Sequence, residues 1–408
     1  MRTERILSIV FALVLLASVV PLAITPAAAY EKKIPCDADG NNELTKEELV
    51  NAILPYMLGE GSYTLDDVGD AAWVYAYWDG KPKTIVDSAG RTVTIYKPIK
   101  RVVCTLAHHI EALRILGISK DTIVGVPSKL DPNFYPEFGD VQGIGYLAWD
   151  LSSSDIEMIV ALKPDVVFLP AATGPWGYTA DDEQEKLEAC GITVIRFTFN
   201  QLDTIPEEIE KSGYIFDREE EAEEFIDWYE GIKNSILEKT KDVNKTRVYS
   251  EYSDYMVSTA DDDIIAVAGG EDIFEGNEGE VEKEAVAFAK PEVIIRAVYR
   301  PEGYGLDADD TAALKEVRDS IMSREELKDV PAVENERVYI ITSHIWTYLP
   351  YSGCRPLIGL CYLAKWFHPE LFPDTELEPK AVHQEYLTRF QRLDIDLDEK
   401  GVFVYPEE

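Results

Sequence analysis

A phrase that occurs twice constrains the fold of this chain more than any other feature. Residues 161–168 read Ala-Leu-Lys-Pro-Asp-Val-Val-Phe, and residues 288–295 read Phe-Ala-Lys-Pro-Glu-Val-Ile-Ile. Each copy follows a helix-like stretch and opens an apolar run, which predicts a helix, a proline-marked turn and a buried strand. Copies about 130 residues apart fit two domains better than a solenoid of short repeats. We therefore expect two similar α/β lobes that hold a ligand between them.

The N-terminal segment 1–29 has the pattern of a secretory signal peptide. Arg2 and Arg5 form a positive region, residues 6–24 are apolar, and three alanines at 27–29 offer a small-residue cleavage site. Because the apolar run is long for a signal, an uncleaved membrane anchor is the alternative. We expect an exported protein, at the cell surface or in a periplasm-like space.

The chain is strongly acidic, with a formal net charge of −37. Such a surface repels phosphate backbones, so nucleic acid is not an expected partner, and solubility is the simplest explanation of the charge. Five cysteines are too few, and odd in number, for a disulfide framework.

A twelve-residue acidic loop at 37–48 matches the calcium loop of an EF-hand. Calcium needs several hard oxygen ligands from one tight loop. The candidate ligands are Asp37, Asp39, Asn41, Glu43, Thr45 and Glu48. Position six is Asn42 where glycine is usual, but asparagine tolerates the left-handed conformation that this turn requires. The loop resembles a dockerin half-module, and residues 64–75 look like the exit helix of a second, eroded one. The alternative is an acidic helix cap without metal.

Hydrophobic periodicity and the positions of turn residues divide the remainder of the chain into units. The predicted units are a module at 30–83 that ends in a linker at 80–83, an N-terminal lobe at 84–204, a connecting helix at 205–244 with a break near Gly213, a C-terminal lobe at 245–372 and a tail at 373–408 with a helix near 383–390. The alternative for the connecting helix is two ordinary helices of the N-terminal lobe. The N-terminal lobe is expected to open with a hairpin at 84–95 and to contain strands near 101–106, 122–126, 165–169 and 192–197. The C-terminal lobe is expected to contain strands near 247–250, 264–268, 293–298 and 337–342. Strand and helix alternate at a pitch that favours parallel sheets.

The candidate ligand-binding residues lie in loops that follow predicted strands. In an open parallel sheet, ligands bind beyond the carboxyl ends of the strands. These loops are rich in aromatic, histidine and arginine side chains, which suit a bulky polar ligand. The candidates are His108, Trp149, Trp176, Tyr178, Tyr252, Tyr255, Arg300, Tyr304, His344, Trp346 and Arg355. Each could instead have an ordinary packing or capping role.

Several enzyme templates are missing from the sequence. It contains no Gly-x-Ser-x-Gly elbow, no Walker loop, no Gly-x-Gly-x-x-Gly after the first strand and no His-Glu-x-x-His pair. We therefore expect a protein that is not an enzyme.

Taken together, residues 84–373 resemble the periplasmic-binding-protein family that serves iron-siderophore, haem and cobalamin ABC importers. The segments that carry the resemblance are Asp87-x-x-Gly90-Arg91, Glu111-x-Leu113-x-x-Leu116-Gly117, Glu157-x-Ile159-x-x-Leu162-Lys-Pro-Asp, Gly269-Gly270 with Ile273-Phe274, and Arg355-Pro with His368-Pro-Glu. The resemblance implies two Rossmann-like lobes joined by one rigid helix, which suits 205–240. It also implies capture of a metal chelate and its delivery to a membrane permease. Acidic residues of such proteins pair with permease arginines, and Glu111 and the stretch 275–284 are the candidates.

Two other functions stay open on the sequence alone. The calcium loop could dock a cohesin-like surface protein, which would make the chain a calcium-dependent cell-surface assembly protein. A chelatase-like enzyme could use His108 or His344, but an exported chain would not meet cytoplasmic tetrapyrroles. Among ligands of the leading hypothesis, the sequence does not choose between an iron siderophore, cobalamin and haem.

Overall fold

Two five-stranded sheets, each belonging to one lobe, organise the chain. The computed structural model describes residues 33–145, 151–171, 179–299, 304–308, 310–346 and 353–407. The first sheet has the order β5-β4-β3-β6-β7, and all its pairings are parallel. Its strands are β3 (Val102–Cys104), β4 (Ile123–Pro127), β5 (Gln142–Ile144), β6 (Val166–Leu169) and β7 (Thr193–Arg196). A hairpin of β1 (Lys83–Val86) and β2 (Thr92–Ile95) precedes this sheet.

The second sheet has the order β10-β8-β12-β13-β14. Its strands are β8 (Thr246–Glu251), β10 (Gly270–Asp272), β12 (Val293–Val298), β13 (Val338–Thr342) and β14 (Val404–Tyr405). The first four pair in parallel, whereas β14 from the C-terminal tail is antiparallel to β13. The short strands β9 (Met256–Val257) and β11 (Gly279–Glu280) form a separate antiparallel pair.

Helices surround both sheets. In chain order they are α1 (Lys46–Leu58), α2 (Leu65–Tyr77), α3 (Ala107–Ile115), α4 (Ser153–Ala161), α5 (Asp181–Ala189), α6 (Ile205–Phe216), α7 (Glu219–Thr240), α8 (Asp262–Val267), α9 (Lys283–Ala289), α10 (Ala312–Met322), α11 (Pro331–Glu334), α12 (Pro356–Phe367) and α13 (Pro379–Glu385). A π-helical turn at Tyr386–Phe390 continues α13. No helix in the described ranges has the length and apolar character that crossing a membrane requires.

The repeated Lys-Pro phrase has the predicted structural role in both lobes. The first copy ends α4 and leads into β6, and the second ends α9 and leads into β12. Lys163 and Lys290 both adopt left-handed backbone conformations, with φ of 48° and 50°. Each lysine therefore ends its helix in a C-terminal turn, and the proline after it cannot extend that helix. The prediction of two α/β lobes, drawn from the repeated phrase, is confirmed.

The predicted connecting helix is two helices, α6 and α7. The chain breaks at Asp217, whose φ is 55°, and not near Gly213. Gly213 lies inside α6 at a close contact, since a Cβ there would be 2.6 Å from the Cβ of Ala222 on α7. Its missing side chain lets the two helices pack tightly. Helix α7 then contacts both lobes, through α3 on one side and α12 on the other.

The predicted strand at 264–268 is wrong, because these residues lie mostly in helix α8. Asp262 and Asp263 occupy the first turn of α8, where negative charge interacts favourably with the positive end of the helix dipole. The strand of this region is β10, which begins at Gly270. A Cβ on Gly270 would be 2.7 Å from Ile265 and from Phe367, so this strand packs closely against its helices.

The predicted linker at 80–83 is not an exposed tether. Lys83 is the first residue of β1, and only 5% of it is exposed. Its ammonium group lies 2.5 Å from the carboxylate of Asp217, and the indole nitrogens of Trp73 and Trp78 each donate to the same carboxylate at 2.9 Å. The N-terminal helices are therefore fixed against the first lobe.

Candidate functional site

The carboxyl ends of the two parallel sheets meet at one region. The thiol of Cys354, which follows β13, contacts the carbonyl oxygen of His108, which follows β3. Asn133 in the loop after β4 donates to Asp307 in the loop after β12, and Lys400 of the tail donates to Asn133. The strand-end loops of the two lobes are therefore neighbours. In open parallel sheets, ligands bind at such loops beyond the carboxyl ends of the strands.

A buried glutamate organises the loop after β8 in the second lobe. Glu251 is fully buried and accepts hydrogen bonds from Arg296, from Arg324 and from the backbone nitrogen of Tyr255. Two guanidinium groups compensate the buried carboxylate, as a buried charge requires. Tyr252 projects from the loop that this cluster fixes.

Tyr252 and Tyr299 form an aromatic pair at this strand edge. Tyr252 follows β8 and Tyr299 follows β12, and their ring centroids are 5.9 Å apart in an edge-to-face arrangement. Both side chains are half-buried, as is Tyr304 a few residues further on. Half-exposed phenol rings offer broad apolar contact together with a hydroxyl group. Tyr252 and Tyr304 were predicted site residues, and Tyr299 was not.

A second buried glutamate has the same role in the first lobe. Glu208, which is 2% exposed, accepts hydrogen bonds from the backbone nitrogens of Thr198 and Phe199 and from the hydroxyl of Ser88. Burial raises the pKa of Glu208, and these hydrogen bonds oppose the rise. The loop that Glu208 fixes carries Asn200, which is buried and whose Oδ1 has no hydrogen-bond partner in the described part of the chain. Sequence reasoning missed Asn200, because a single asparagine after a strand gives no signal.

Histidines 108 and 109 connect the loop after β3 to the end of β7. The Nδ1 of His108 donates to the carbonyl oxygen of Thr198 at 3.0 Å, and the Nε2 of His109 donates to that of Phe197 at 2.9 Å. Burial lowers the pKa of His109 to about 3, so its ring is neutral. His108 is fully buried as well. The structure therefore favours a structural role for His108 over the predicted ligand contact.

His344 lies behind the loop after β12. A Cβ on Gly305, whose φ is 64°, would be 2.7 Å from His344 Cε1, so the ring lies directly against the glycine backbone. Burial and the nearby Arg355 lower the pKa of His344 to about 3. Its Nδ1 has no hydrogen-bond partner among the described residues. His344 is therefore a neutral, buried histidine close to the strand edge.

Three predicted ligand residues have structural contacts instead. Trp346 is fully buried, and its indole nitrogen donates to Asp261 at 2.7 Å. Arg355 is buried and forms an ion pair with Glu111. Tyr255 donates its hydroxyl to Glu326, and the guanidinium of Arg324 lies 4.7 Å from its ring centroid. The order of residues in a strand-end loop does not tell which side chains face the ligand site and which pack against the protein.

Four further candidates lie outside the described residues. These are Trp149, Trp176, Tyr178 and Arg300.

Glu111 is the centre of a buried polar cluster that joins the lobes. Its carboxylate accepts hydrogen bonds from Tyr135 and Tyr386 at 2.7 Å, and from Arg355 at 3.0 Å. A Cβ on Gly353, whose φ is 53°, would be 1.9 Å from this carboxylate, so only glycine fits there. Burial raises the pKa values of Tyr135 and Tyr386 well above the usual range of a tyrosine, and the charge of Glu111 raises them further. Glu111 cannot reach a permease arginine, so that prediction is wrong.

The loop at 37–48 has the left-handed turn expected at position six, while Thr45 and Glu48 form a capping box at the start of α1. Asn42 has a φ of 61°, the left-handed conformation for which glycine is usual at this position. The Asp37 carboxylate accepts from the backbone nitrogens of Gly40 and Asn42 and thereby tightens the turn. One carboxylate oxygen each of Asp37, Asp39 and Glu48 lies within 4.8 Å of the others. Hard oxygen donors at this spacing fit a calcium ion.

Comparison with known proteins decides the family. The sequence profile described as periplasmic binding protein matches residues 110–345, which is more than half of the chain. The chain belongs to the periplasmic binding protein family. This is a family of extracytoplasmic transport proteins, not of enzymes, whose members bind small molecules and work with an ABC permease. None of the curated proteins compared with this periplasmic binding protein matches it.

Solved structures show the same fold. The TroA-like periplasmic binding protein FepB from Veillonella parvula is 24% identical over 79% of this chain and 99% of its own, with a TM-score of 0.65. MolA from Haemophilus influenzae, bound to molybdate, is 19% identical over 77% of this chain and 99% of its own, with a TM-score of 0.59. CeuE from Helicobacter pylori with Ni(II) bound is 15% identical over 77% of this chain and 97% of its own, with a TM-score of 0.55.

Proposed function

We propose that this periplasmic binding protein captures a metal chelate between its lobes and delivers it to an ABC permease. The observation that carries the proposal is the tyrosine pair of Tyr252 and Tyr299 at the carboxyl edge of the second sheet. In the first lobe, the buried Asn200 supports it, because its Oδ1 has no hydrogen-bond partner in the described part of the chain. Aromatic rings with a few convergent polar groups suit a bulky ligand that combines apolar and polar surface. Two proteins of the same fold, MolA and CeuE, contain a metal species in their structures.

An iron chelate of the siderophore type is the first candidate ligand, and cobalamin and haem are the alternatives. Tyrosines offer ring contact and hydrogen bonds to carboxylate or catecholate groups on such a chelate. Haem would need an axial ligand, and His344 is neutral but lies behind the backbone of Gly305. That position makes haem the least favoured of the three.

Fluorescence titration tests this function. The purified protein should show tryptophan quenching with a ferric siderophore or with cobalamin, and indifference to both and to haem would contradict the proposal. Substituting both Tyr252→Ala and Tyr299→Ala should weaken binding by roughly fivefold to a hundredfold, because each aromatic contact is worth roughly 0.5–1.5 kcal/mol. Tyr75→Ala, which removes an exposed tyrosine of the N-terminal helices, is the matched control.

For the permease contact, the exposed acidic stretch 275–284 remains our proposal for the second lobe. Glu275, Glu278 and Glu284 are all exposed, so they can reach a basic partner surface. Glu111 no longer supplies the first-lobe contact, because it is buried.

A second proposed role concerns the N-terminal helices, where calcium would bind at 37–48 and stabilise a surface for a cell-surface protein of the cohesin type. Helix α1 exposes an apolar stripe at helical spacing, formed by Val50, Leu54, Met57 and Leu58. Exposed apolar stripes on a water-facing helix are typical of interaction surfaces. Loss of partner capture after chelation of calcium would support this role, and unchanged capture would contradict it.

A further inference from the structure

A groove of about 760 Å³ lies between helices α6 and α7 on the first lobe. Pro206, Glu210 and Tyr214 line it from one face of α6, and Glu219 and Ile226 line it from one face of α7. It begins near Asp203, a few residues after Asn200, and ends near Lys83 at the contact with the N-terminal helices. The groove is thus part of neither the predicted ligand site nor the calcium loop.

The floor of the groove is apolar and its rim is acidic. The apolar lining residues are Ile85, Pro206, Ala222 and Ile226, with the exposed Tyr214 beside them, and the acidic lining residues are Asp203, Glu207, Glu210, Glu219 and Glu223. Lys211 is the one cation among the described lining residues. A groove of this composition offers apolar contact along its length and negative potential on both sides.

Two rim carboxylates have no cationic partner among the described residues. Lys211 pairs with Glu207, and Asp203 pairs with Lys233 from α7. Glu219 lies 3.7 Å from Lys83. Glu210 and Glu223 are both exposed and form no ion pair in the described part of the chain. Since they stand on opposite helices, a cation placed in the groove could meet a carboxylate on either side.

We propose that this α6–α7 groove binds a basic amphipathic segment of a partner protein, with apolar side chains on the floor and lysine or arginine at Glu210 and Glu223. Charge complementarity selects this occupant. A second copy of the chain would bring a net charge of −37 against an acidic rim, and an anionic lipid surface would be repelled in the same way. Apolar side chains on one face of the segment fit the groove as an amphipathic helix fits a helical partner surface.

The test uses the full mature chain and a fluorescently labelled synthetic peptide of leucine and lysine that forms an amphipathic helix. Anisotropy should show saturable binding that weakens as the salt concentration rises. A peptide with glutamate for lysine, and one with glutamine for leucine, should both fail to bind. Hydrogen exchange on the complex should show protection concentrated in α6 and α7. Protection elsewhere, or equal binding of the glutamine peptide, would overturn the proposal.

A charge-matched pair of variants separates the groove from the overall acidity. Glu210→Gln with Glu223→Gln should weaken peptide binding roughly threefold to thirtyfold, as expected for the loss of two exposed ion pairs. Glu316→Gln with Glu334→Gln removes the same charge from exposed positions of the second lobe and should leave binding unchanged. Equal weakening by both pairs would show attraction to net charge alone and would contradict the groove. Chelate binding at the strand edge should be unaffected in all four substitutions, so the two proposals can fail separately.

Discussion

Glu111 and Arg355 form an ion pair of 3.0 Å in which both side chains are almost completely removed from solvent. Glu111 belongs to α3 of the first lobe, and Arg355 immediately precedes α12 of the second. Tyr386 from the tail joins the same carboxylate, and Gln391 donates to the backbone oxygen of Glu111. The lobes therefore share a buried, charged contact besides helix α7. Small lobe movements on ligand binding are the consequence we expect.

Glu111→Gln should destabilise the protein strongly. The substitution leaves the buried Arg355 charge uncompensated, and breaking a buried pair costs about 3–5 kcal/mol. Urea unfolding followed by circular dichroism gives the free energy of unfolding directly. Glu316→Gln, on an exposed surface, is the control and should change it by less than about 0.5 kcal/mol. A change for Glu111→Gln as small as that of the control would contradict the structural role of this pair.

Asp272→Asn should stabilise the protein at neutral and alkaline pH. Burial, together with Asp262, Asp261 and Glu275, raises the pKa of Asp272 to about 7. When the pKa of a carboxyl is raised in the folded state, its contribution to the free energy of unfolding is complete below the pKa of the unfolded chain, which is about 3.9. That contribution is lost as the pH rises towards 7. The variant lacks this titration and should be more stable than the wild type by roughly 2–4 kcal/mol at pH 8, with little difference at pH 4. Identical pH profiles of thermal unfolding would contradict the assignment.

Asp217→Asn should loosen the N-terminal helices from the first lobe. Asp217 accepts from both Trp73 and Trp78 and pairs with the buried Lys83, and asparagine cannot satisfy all three. We expect a loss of about 1–3 kcal/mol, a red-shifted tryptophan emission and faster proteolysis near residues 78–83. Asp227→Asn on exposed α7 is the control. Unchanged emission and proteolysis in Asp217→Asn would show that this carboxylate does not hold the helices.

Calcium should raise the thermal stability of the N-terminal helices, and Glu48→Gln should abolish the effect. Glu48 supplies the last position of the loop, and its carboxylate lies within 4.8 Å of those of Asp37 and Asp39. Hydrogen bonds from Thr45 lower the pKa of Glu48, so it stays ionised and available to a cation as the pH falls towards its usual pKa. Glu47→Gln, one residue earlier on the same helix, should keep the response. A calcium-independent melting temperature in the wild type would contradict the calcium loop.

Local patterns predict most of the fold in this chain. The strands at 293–298 and near 165–169 agree with the structure to within a residue or two. The signals that locate these elements are local, because the Lys-Pro turn and the β-branched run of the strand lie within a few residues of each other. The break at Asp217 was misplaced because glycine is the usual signal for a helix break, whereas here Gly213 allows two helices to pack closely.

Residue contacts at the candidate site depend on pairings that the sequence does not show. Glu111 and Arg355 are 244 positions apart, and nothing in their local sequence indicates that both are buried. Glu208 stands in an acidic stretch that resembles an exposed one, and Glu251 ends a strand beside polar residues, yet each is a buried anchor of a strand-end loop. The tail strand β14 was missed because two residues carry no periodicity.

Native mass spectrometry of the protein purified from its own host tests the central claim most directly. A periplasmic binding protein that captures a metal chelate should retain a small molecule whose mass and isotope pattern show a transition metal, and this species should be absent from the variant with Tyr252→Ala and Tyr299→Ala. A retained ligand without metal, or equal retention by that variant, would contradict the proposed chelate site between the lobes.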